Sequence, residues 1–404
     1  MTQAQRRIEV SNVWKVFGGK PDAALRPEHA AKSRAEIREE LGVVLGLRNV
    51  SFHVDGGEVY VVMGLSGSGK STLVRCLIRL AEASAGEIRF DGEDIRAYTP
   101  EQLVEFRRSK VAMVFQHYGL LPHRNVIDNV AYGLEVKGLT REERYEAAAH
   151  AIETVGLKGW EQNFPQQMSG GMQQRVGLAR ALALNADVLL MDEPFSGLDP
   201  LIRREMQDEL LSLQANLRKT IVFITHDLNE ALKMGDRIAI MRDGEIIQEG
   251  LPEEVVTLPS DDYVTDFVRD VSRAKVVQAK AVMKEPDIVI YERQGPRAAL
   301  HAMQSNGADA VFLIARNFTL RGILTAERAH ELASQAKESL EEAEVIPAMT
   351  AKPETTIEEI VPMAAKTARP IAVVADNGSL LGEIDRGSLL LGMSGPDVEE
   401  AEEE

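Results

Sequence analysis

A single cysteine, Cys76, excludes any internal disulfide, and no long apolar run is present. A spanning helix needs about 18 or more uninterrupted apolar residues, and no stretch reaches that. The opening "MTQAQRRIEVSN" also lacks the apolar core of a signal peptide. The expectation is a chain that stays on the cytoplasmic side. Aromatics make up only 5% and tryptophans number two, so aliphatic side chains must build the cores. Excess positive charge is missing as well: the net charge is −17, which excludes broad electrostatic attraction to nucleic acid. Part of that charge lies in the tail "DVEEAEEE", residues 397–404, read as a solvated acidic run without chemistry. What is present is 44% hydrophobic residues in 404, enough for two or three domains. Cys76 shares the helical spacing of Leu73, Leu77 and Leu80, which places it in a core.

Residues 58–80, "EVYVVMGLSGSGKSTLVRCLIRL", read as strand, glycine-rich turn and helix. Gly64, Gly69, Lys70 and Ser71 fit G-x-x-x-x-G-K-[ST] in the flanking context the pattern needs. In such a loop, Gly64, Leu65, Ser66, Gly67, Ser68 and Gly69 turn backbone N–H groups towards phosphates. Lys70 reaches the terminal phosphates, and the Ser71 hydroxyl, beside Thr72, can hold Mg²⁺. A second glycine-rich helix start, "MSGGMQQR", offers another anion site at Ser169, Gly170 and Gly171. One chain thus carries two separated phosphate-type sites.

The strand "DVLLMDEP" ends in two adjacent carboxylates, Asp192 and Glu193. Successive strand side chains face opposite ways, so their roles differ: one carboxylate supports Mg²⁺, and its neighbour orients or deprotonates water. The bland alternative is that one of them caps the next helix. Asp199 already serves as N-cap there, with Pro200 at the first helical position, which leaves Glu193 free. Met206, Leu210, Leu213 and Leu217 then line one helix face for packing against a sheet. The strand "TIVFIT" delivers His226 at its C-terminal end, where open α/β sheets bind ligands. A lone histidine is more often a core or surface residue, but this position favours a role at the terminal phosphate.

Gly64 to Thr72, Gln116 in "VFQHYG", "MSGGMQQR", "VLLMDEP", "SGLD" and "ITHD" together resemble, in order and spacing, the ATPase subunit of ABC transporters. The resemblance implies an α/β P-loop domain with a helical subdomain. It also implies a head-to-tail dimer with a second copy, in which Ser169 and Gly171 meet the γ-phosphate of ATP held by Lys70 of the other chain. The same resemblance assigns Gln116 to Mg²⁺ and to sensing a membrane permease, Glu193 to water activation, His226 to the γ-phosphate and Asp199 to communication across the dimer. Phe17 in "NVWKVFGG" falls where the family stacks an aromatic on adenine, with Trp14 the second candidate. The family's signature usually ends in glutamine, and Met172 stands there instead. With Met168, this variant resembles the glycine betaine/proline branch of importers, as does "DPLIRREMQDELLSLQ". An insertion at about 18–48, with a short helix over Ser33 to Leu41, is either a surface elaboration or a partner site. Leu120, Leu121 and Pro122 are candidates for permease contact, with packing inside the helical subdomain as the alternative.

Beyond "DYVTDFVRD" the character changes, and residues 276–396 contain a weak internal repeat. Each copy has an opening helix, two strands joined by a turn and a closing helix, and neither copy alone would bury its sheet. The pair resembles tandem CBS domains, an α+β module whose clefts often bind adenine nucleotides. The ligand pattern is met only partly: Thr325 is followed by Arg328, and Asp385 by Ser388. The expected organisation is an ABC-type domain at 1–270 with its helical subdomain at about 100–180. A tandem CBS module follows at 271–396, with copies at about 276–337 and 344–396. The expected function is ATP-driven uptake of a quaternary-amine osmoprotectant with a permease and, indirectly, a substrate-binding protein. The CBS module would be regulatory, sensing ionic strength or a nucleotide, or else serve dimerisation. An importer ATPase for choline or an amino acid is the alternative. A non-transport ABC ATPase is disfavoured because neither a long coiled coil before the signature nor a second phosphate loop is present.

Overall fold

Runs of β-branched and apolar residues with no polar alternation are suited to strands covered on both faces. The computed structural model describes residues 6–19, 21–29, 32–115, 119–269 and 271–394, and the chain divides into two compact units, Met1–Arg269 and Asp270–Glu404. In the first unit the strands are β1 (Arg6–Phe17), β2 (Val44–Asp55), β3 (Val59–Met63), β4 (Ala85–Phe90), β5 (Glu93–Asp94), β6 (Val111–Val114), β7 (Val188–Asp192), β8 (Thr220–Thr225), β9 (Arg237–Arg242) and β10 (Glu245–Gly250). Six of them form one sheet in the order β10-β9-β3-β8-β7-β6. All its pairs are parallel except β9 with β10. Every residue of β3, β7 and β8 is buried, as their unbroken apolar runs require. The other four strands form an antiparallel sheet, β2-β1-β4-β5. A shared core of Val10, Leu47, Val62, Leu73, Cys76 and Val222 joins the two sheets.

The helix Lys70–Leu77 buries Leu73, Cys76 and Leu77, but Leu80 lies past its end and is 57% exposed. Arg79, at φ 52°, has already turned the chain out of the helix. The helix Pro200–Leu217 likewise buries Met206 and Leu210 and half-buries Leu213, whereas Leu217 is exposed. Its last turn ends at an open cleft lined by Leu217 and Arg218. Helices Val126–Lys137, Arg141–Thr154 and Gly170–Ala183 pack together as a helical layer. The expected helical span from 100 is interrupted, because "VAMV" is apolar enough to join the main sheet as β6 beside β7. In the insertion, Ser33 caps the helix Arg34–Leu41 with Glu36 in a reciprocal capping box. Ile37 of that helix is fully buried against Val16, Ala24, Val43 and Leu45.

The second unit holds two three-stranded sheets, β11 (Val289–Tyr291), β12 (Ala310–Ile314) and β13 (Leu320–Thr325), then β14 (Thr350–Ala351), β15 (Ile371–Val374) and β16 (Leu380–Ile384). Each pairs its first two strands parallel and its last two antiparallel. Phe312 and Ile323 from the first sheet meet Ala372 from the second in one cluster, so each sheet is covered by the other. The opening segments are exchanged: Gln278 bridges to Thr356 and Lys284 to Glu383, while Ile346 bridges to Ile323. Boundaries drawn from sequence period alone are therefore crossed in space. Among the described residues no helix is long and apolar enough to cross a membrane. The acidic run 397–404 lies outside the described residues.

Candidate functional site

The loop between β3 and the helix Lys70–Leu77 exists because three of its positions need backbone freedom. Gly64, Gly67 and Gly69 have φ of 151°, 82° and 114°. A Cβ on Gly64 would lie 2.2 Å from the Met241 carbonyl, and one on Gly69 2.7 Å from the Gly46 carbonyl. The Lys70 ammonium donates to the carbonyls of Gly64 at 2.7 Å and Leu65 at 3.1 Å. Burial holds its pKa below the usual lysine value, against the opposing pull of Glu193 and Asp192. Ser68 is buried, and its Oγ has no hydrogen-bond partner among the described residues. A bound group that accepts from it would satisfy that hydroxyl.

Ser71 donates to Asp192 Oδ1 at 3.2 Å. Asp192 is buried, which raises its pKa, while the Ser71 hydrogen bond pulls it down. Glu193, next in sequence, takes φ 46°, a left-handed conformation that costs an L-residue about 1–2 kcal/mol. The strand ends at Asp192, so strand alternation does not govern Glu193, and both carboxylates act on Lys70. Glu193 Oε2 lies 3.1 Å from His226 Nδ1 at the end of β8. Beneath His226, Glu230 accepts from Thr225 at 2.6 Å and from Gln207 at 3.3 Å, and burial raises its pKa. Arg203 lies 3.8 Å from Glu230, donates to the Leu198 carbonyl at 3.4 Å and donates to Asp227 Oδ2 at 3.4 Å, which links the turn before Asp199 to the turn holding His226.

A cleft of about 660 Å³ gathers Phe17, Leu65, Ser66, Gly67, Gly69, Lys70, Ser71, Thr72, Glu193 and His226. Phe17 is 43% exposed, and Lys15 Nζ sits 4.9 Å from its ring centroid. Gly46 makes room for that ring, because a Cβ there would be 2.6 Å from Phe17 Cε2. Trp14 is not among the cleft's lining residues. Ser169, Gly170 and Gly171 are not in the lining of this cleft either. Ser169 caps its own helix through Met172 N–H at 3.3 Å, and Gly171 packs so closely on Ile202 that a Cβ would meet it at 2.5 Å. The second glycine-rich site thus stands apart within one chain. Asp199 caps the helix Pro200–Leu217 as expected, accepting from Leu201 N–H at 2.9 Å. Gln116 lies outside the described residues. Pro122 is exposed, but Leu120 and Leu121 are half-buried, since Asn129 holds the Leu121 backbone on both its N–H and its carbonyl.

Sequence reasoning missed Arg34, Gly46 and Ser196, which also line the cleft, and the Glu230, Gln207 and Arg203 network. Ser196 opens the "SGLD" stretch, and Arg203 and Gln207 lie in "DPLIRREMQDELLSLQ", but nothing in their spacing signals these contacts; Arg34, Gly46 and Glu230 carry no local signature. In the second unit, Thr325 accepts from Arg328 N–H at 3.3 Å and Asp385 from Ser388 N–H at 2.7 Å, so both act as helix caps. A cleft of about 170 Å³ between the two repeats is lined by Asp287, Asp309, Glu383 and Arg369 among apolar residues.

A parallel sheet with a glycine-cradled lysine at the C-terminal end of its third-placed strand defines a P-loop nucleotide-binding protein. The family model described as ABC transporter matches residues 47–196. The chain is 48% identical over 392 residues to the glycine betaine/carnitine transport ATP-binding protein GbuA of Listeria monocytogenes (serotype 1/2a, strain 10403S), covering 97% of this chain and 98% of that protein. Against the glycine betaine transport ATP-binding protein OpuAA of Bacillus subtilis (strain 168), identity is 44% over 389 residues, covering 96% and 93%. The trimethylamine N-oxide transport system ATP-binding protein TmoW of Ruegeria pomeroyi is 53% identical over 272 residues, 67% of this chain and 80% of that one. Among solved structures, a dimeric ATP-binding cassette in a post-hydrolysis state bound to ADP and Pi matches with TM-score 0.52 and 31% identity, over 61% of this chain and 98% of that one. The chain belongs to the ATP-binding proteins of ABC transporters, which are ATPases.

Proposed function

We propose that this protein is the ATP-hydrolysing subunit that energises uptake of a quaternary-amine osmoprotectant, glycine betaine or proline betaine, at the cytoplasmic face of the cell membrane. The observation that carries it is the convergence of Lys70, Ser71, Glu193 and His226 on one cleft, in a chain 48% identical to a betaine transport ATP-binding protein along almost its whole length. Lys70 and the loop N–H groups bind the ATP phosphates, Phe17 stacks on adenine, and Glu193 accepts the proton of the attacking water. His226, whose Nδ1 lies 3.1 Å from Glu193 Oε2, orients it and meets the γ-phosphate. Ser71 and Asp192 are hard oxygen donors of the kind Mg²⁺ takes, with Gln116 a third. Held by these residues, Mg²⁺ would supply neutralisation of phosphate charge. Ser169, Gly170 and Gly171 stand apart from this cleft, which supports a dimer in which they complete the ATP site of a second copy, with Asp199 at the seam. A membrane permease docks beside Gln116 and the segment Leu120, Leu121 and Pro122, and a substrate-binding protein delivers the solute to it.

In the same reading the second unit is a tandem CBS module that regulates transport. Its cleft holds the carboxylates of Asp287, Asp309 and Glu383 with Arg369, and Lys284 lies 3.0 Å from Asp287 and 3.5 Å from Glu383. The module responds to ionic strength, through ion pairs such as these, or to an adenine nucleotide, or else serves packing. The 53% identity to a trimethylamine N-oxide transport protein supports a second solute of the same methylated-amine class. The test is uptake of labelled glycine betaine by vesicles holding this chain and its permease, at low and high internal salt, with and without residues 272–404. ATP-dependent uptake that loses its salt response on truncation is the expected result. Indifference to truncation makes the second unit structural. ATP hydrolysis without betaine uptake, but with trimethylamine N-oxide uptake, moves the solute to the second reading.

A further inference from the structure

The insertion helix Arg34–Leu41 has been given no part in the nucleotide chemistry so far, yet it places a guanidinium on the phosphate loop. Arg34 is the first residue of the insertion helix, and its side chain is only 22% exposed. Its Nη1 donates to the Gly67 carbonyl at 3.0 Å, and its Nη2 donates to the Leu45 carbonyl on β2. The same guanidinium stands 3.6 Å from Asp243 Oδ1, in the turn between β9 and β10. It lines the cleft that holds Lys70, Phe17 and Glu193. Three elements far apart in sequence are thus tied at one planar fork.

The fork is itself fixed. Ser33 caps the helix, Ile37 is fully buried, and Arg48 donates to the Lys32 carbonyl at 2.8 Å. Gly67 is left-handed and has open space at its Cβ position, so crowding does not determine its conformation. Its carbonyl is held by the bond from Arg34. Lys70 loses part of its preference for the charged form through burial, whereas an arginine stays protonated.

We propose that Arg34 is a positioning residue of the nucleotide site: it braces the Gly67 peptide of the phosphate loop and keeps a permanent positive charge on the cleft wall, so that the insertion sets affinity for the polyphosphate. The proposal rests on the nucleotide-site reading above. Because the contact is with the phosphate loop, its effect falls on phosphate binding and not on adenine stacking. Phe17 has the opposite signature.

The experiment uses the full chain, with Arg34→Ala, Arg34→Lys and Phe17→Ala beside the parental protein. MgADP and magnesium pyrophosphate are titrated calorimetrically, and thermal midpoints are recorded for each variant. Loss of a charged hydrogen-bonding group predicts that Arg34→Ala binds both ligands about tenfold or more weakly. Arg34→Lys falls between, because one ammonium cannot reproduce the two-armed fork. Phe17→Ala weakens MgADP and leaves pyrophosphate unchanged. In hydrolysis, Arg34→Ala raises KM for ATP more than it lowers kcat. Parental-like binding of both ligands by Arg34→Ala overturns the inference alone. A fall in thermal midpoint with no lysine rescue and equal losses in kcat and 1/KM overturns it too, in favour of a structural role. A parental chain that binds neither ligand overturns the nucleotide-site reading and this inference with it.

Discussion

Glu193→Gln isolates one proton acceptor while leaving the shape of the site intact. The amide keeps an oxygen to accept from His226, whose Nδ1 lies 3.1 Å from the carboxylate. Both residues are non-glycine, so the left-handed backbone at φ 46° costs the same in each. His226 is more than half exposed, which limits the lost ion pair to under about 1 kcal/mol. What disappears is general-base capacity, a factor of about 10²–10⁴. At 1.36 kcal/mol per tenfold, that is about 2.7–5.4 kcal/mol of barrier. The assay is phosphate release in single turnover at saturating MgATP, with ATP affinity measured separately. Expected are a rate down by at least about a hundredfold, unchanged ATP affinity and a closed dimer that accumulates with ATP. A parental rate refutes the assignment, and another group must then activate the water. Lost affinity refutes the claim that Glu193 acts on water alone.

Lys70→Met removes a buried cation and keeps its volume. Because burial lowers the folded-state pKa of Lys70, the unfolded chain binds more protons between that lowered pKa and the ordinary value of 10.5, and this group's linkage makes stability rise with pH there. The methionine variant loses that pH-dependent increment, melts at or above the parental midpoint at neutral pH, and loses ATP binding. A lower neutral-pH midpoint in differential scanning would contradict it. Cys76 is fully buried with its pKa pushed up to about 11, so the native thiol resists alkylation at pH 8 and reacts only when denaturant is added. Labelling of the native chain followed by intact mass would reveal otherwise. Leu121→Asp is expected to uncouple ATP hydrolysis from the permease while sparing ATP binding, and a loss of binding would argue against docking there. Gly64→Ala sets a methyl against the Met241 carbonyl and should abolish nucleotide binding even where the chain still folds, as read by calorimetry with circular dichroism.

The nucleotide-binding elements were legible wherever local sequence carries the physics. "EVYVVMG" is a run that only a doubly covered strand can use, and "GLSGSGKS" spaces glycines where left-handed φ and close backbone approach are needed. Asp199 was readable as a cap for the same reason, since the bond spans two residues. The ends of elements were less legible. Leu80 and Leu217 continue a helical stripe in sequence but fall at or beyond a terminus, where nothing covers them. The repeat in the second unit could be seen from its period, but not the exchange that pairs Lys284 with Glu383.

By itself the sequence determined the strand, loop and helix that hold phosphate, because those depend on residues within a few positions of one another. Only the tertiary structure decided which distant groups share the cleft. Gly46 is small because Phe17 lies on it, and Arg34 meets Gly67 across thirty-three positions. Glu230 accepts from Gln207 of another helix, and Glu193, left-handed at the end of β7, lies 3.1 Å from His226 at the end of β8. Such contacts follow from how sheets and helices stack, a long-range packing solution that no local spacing encodes.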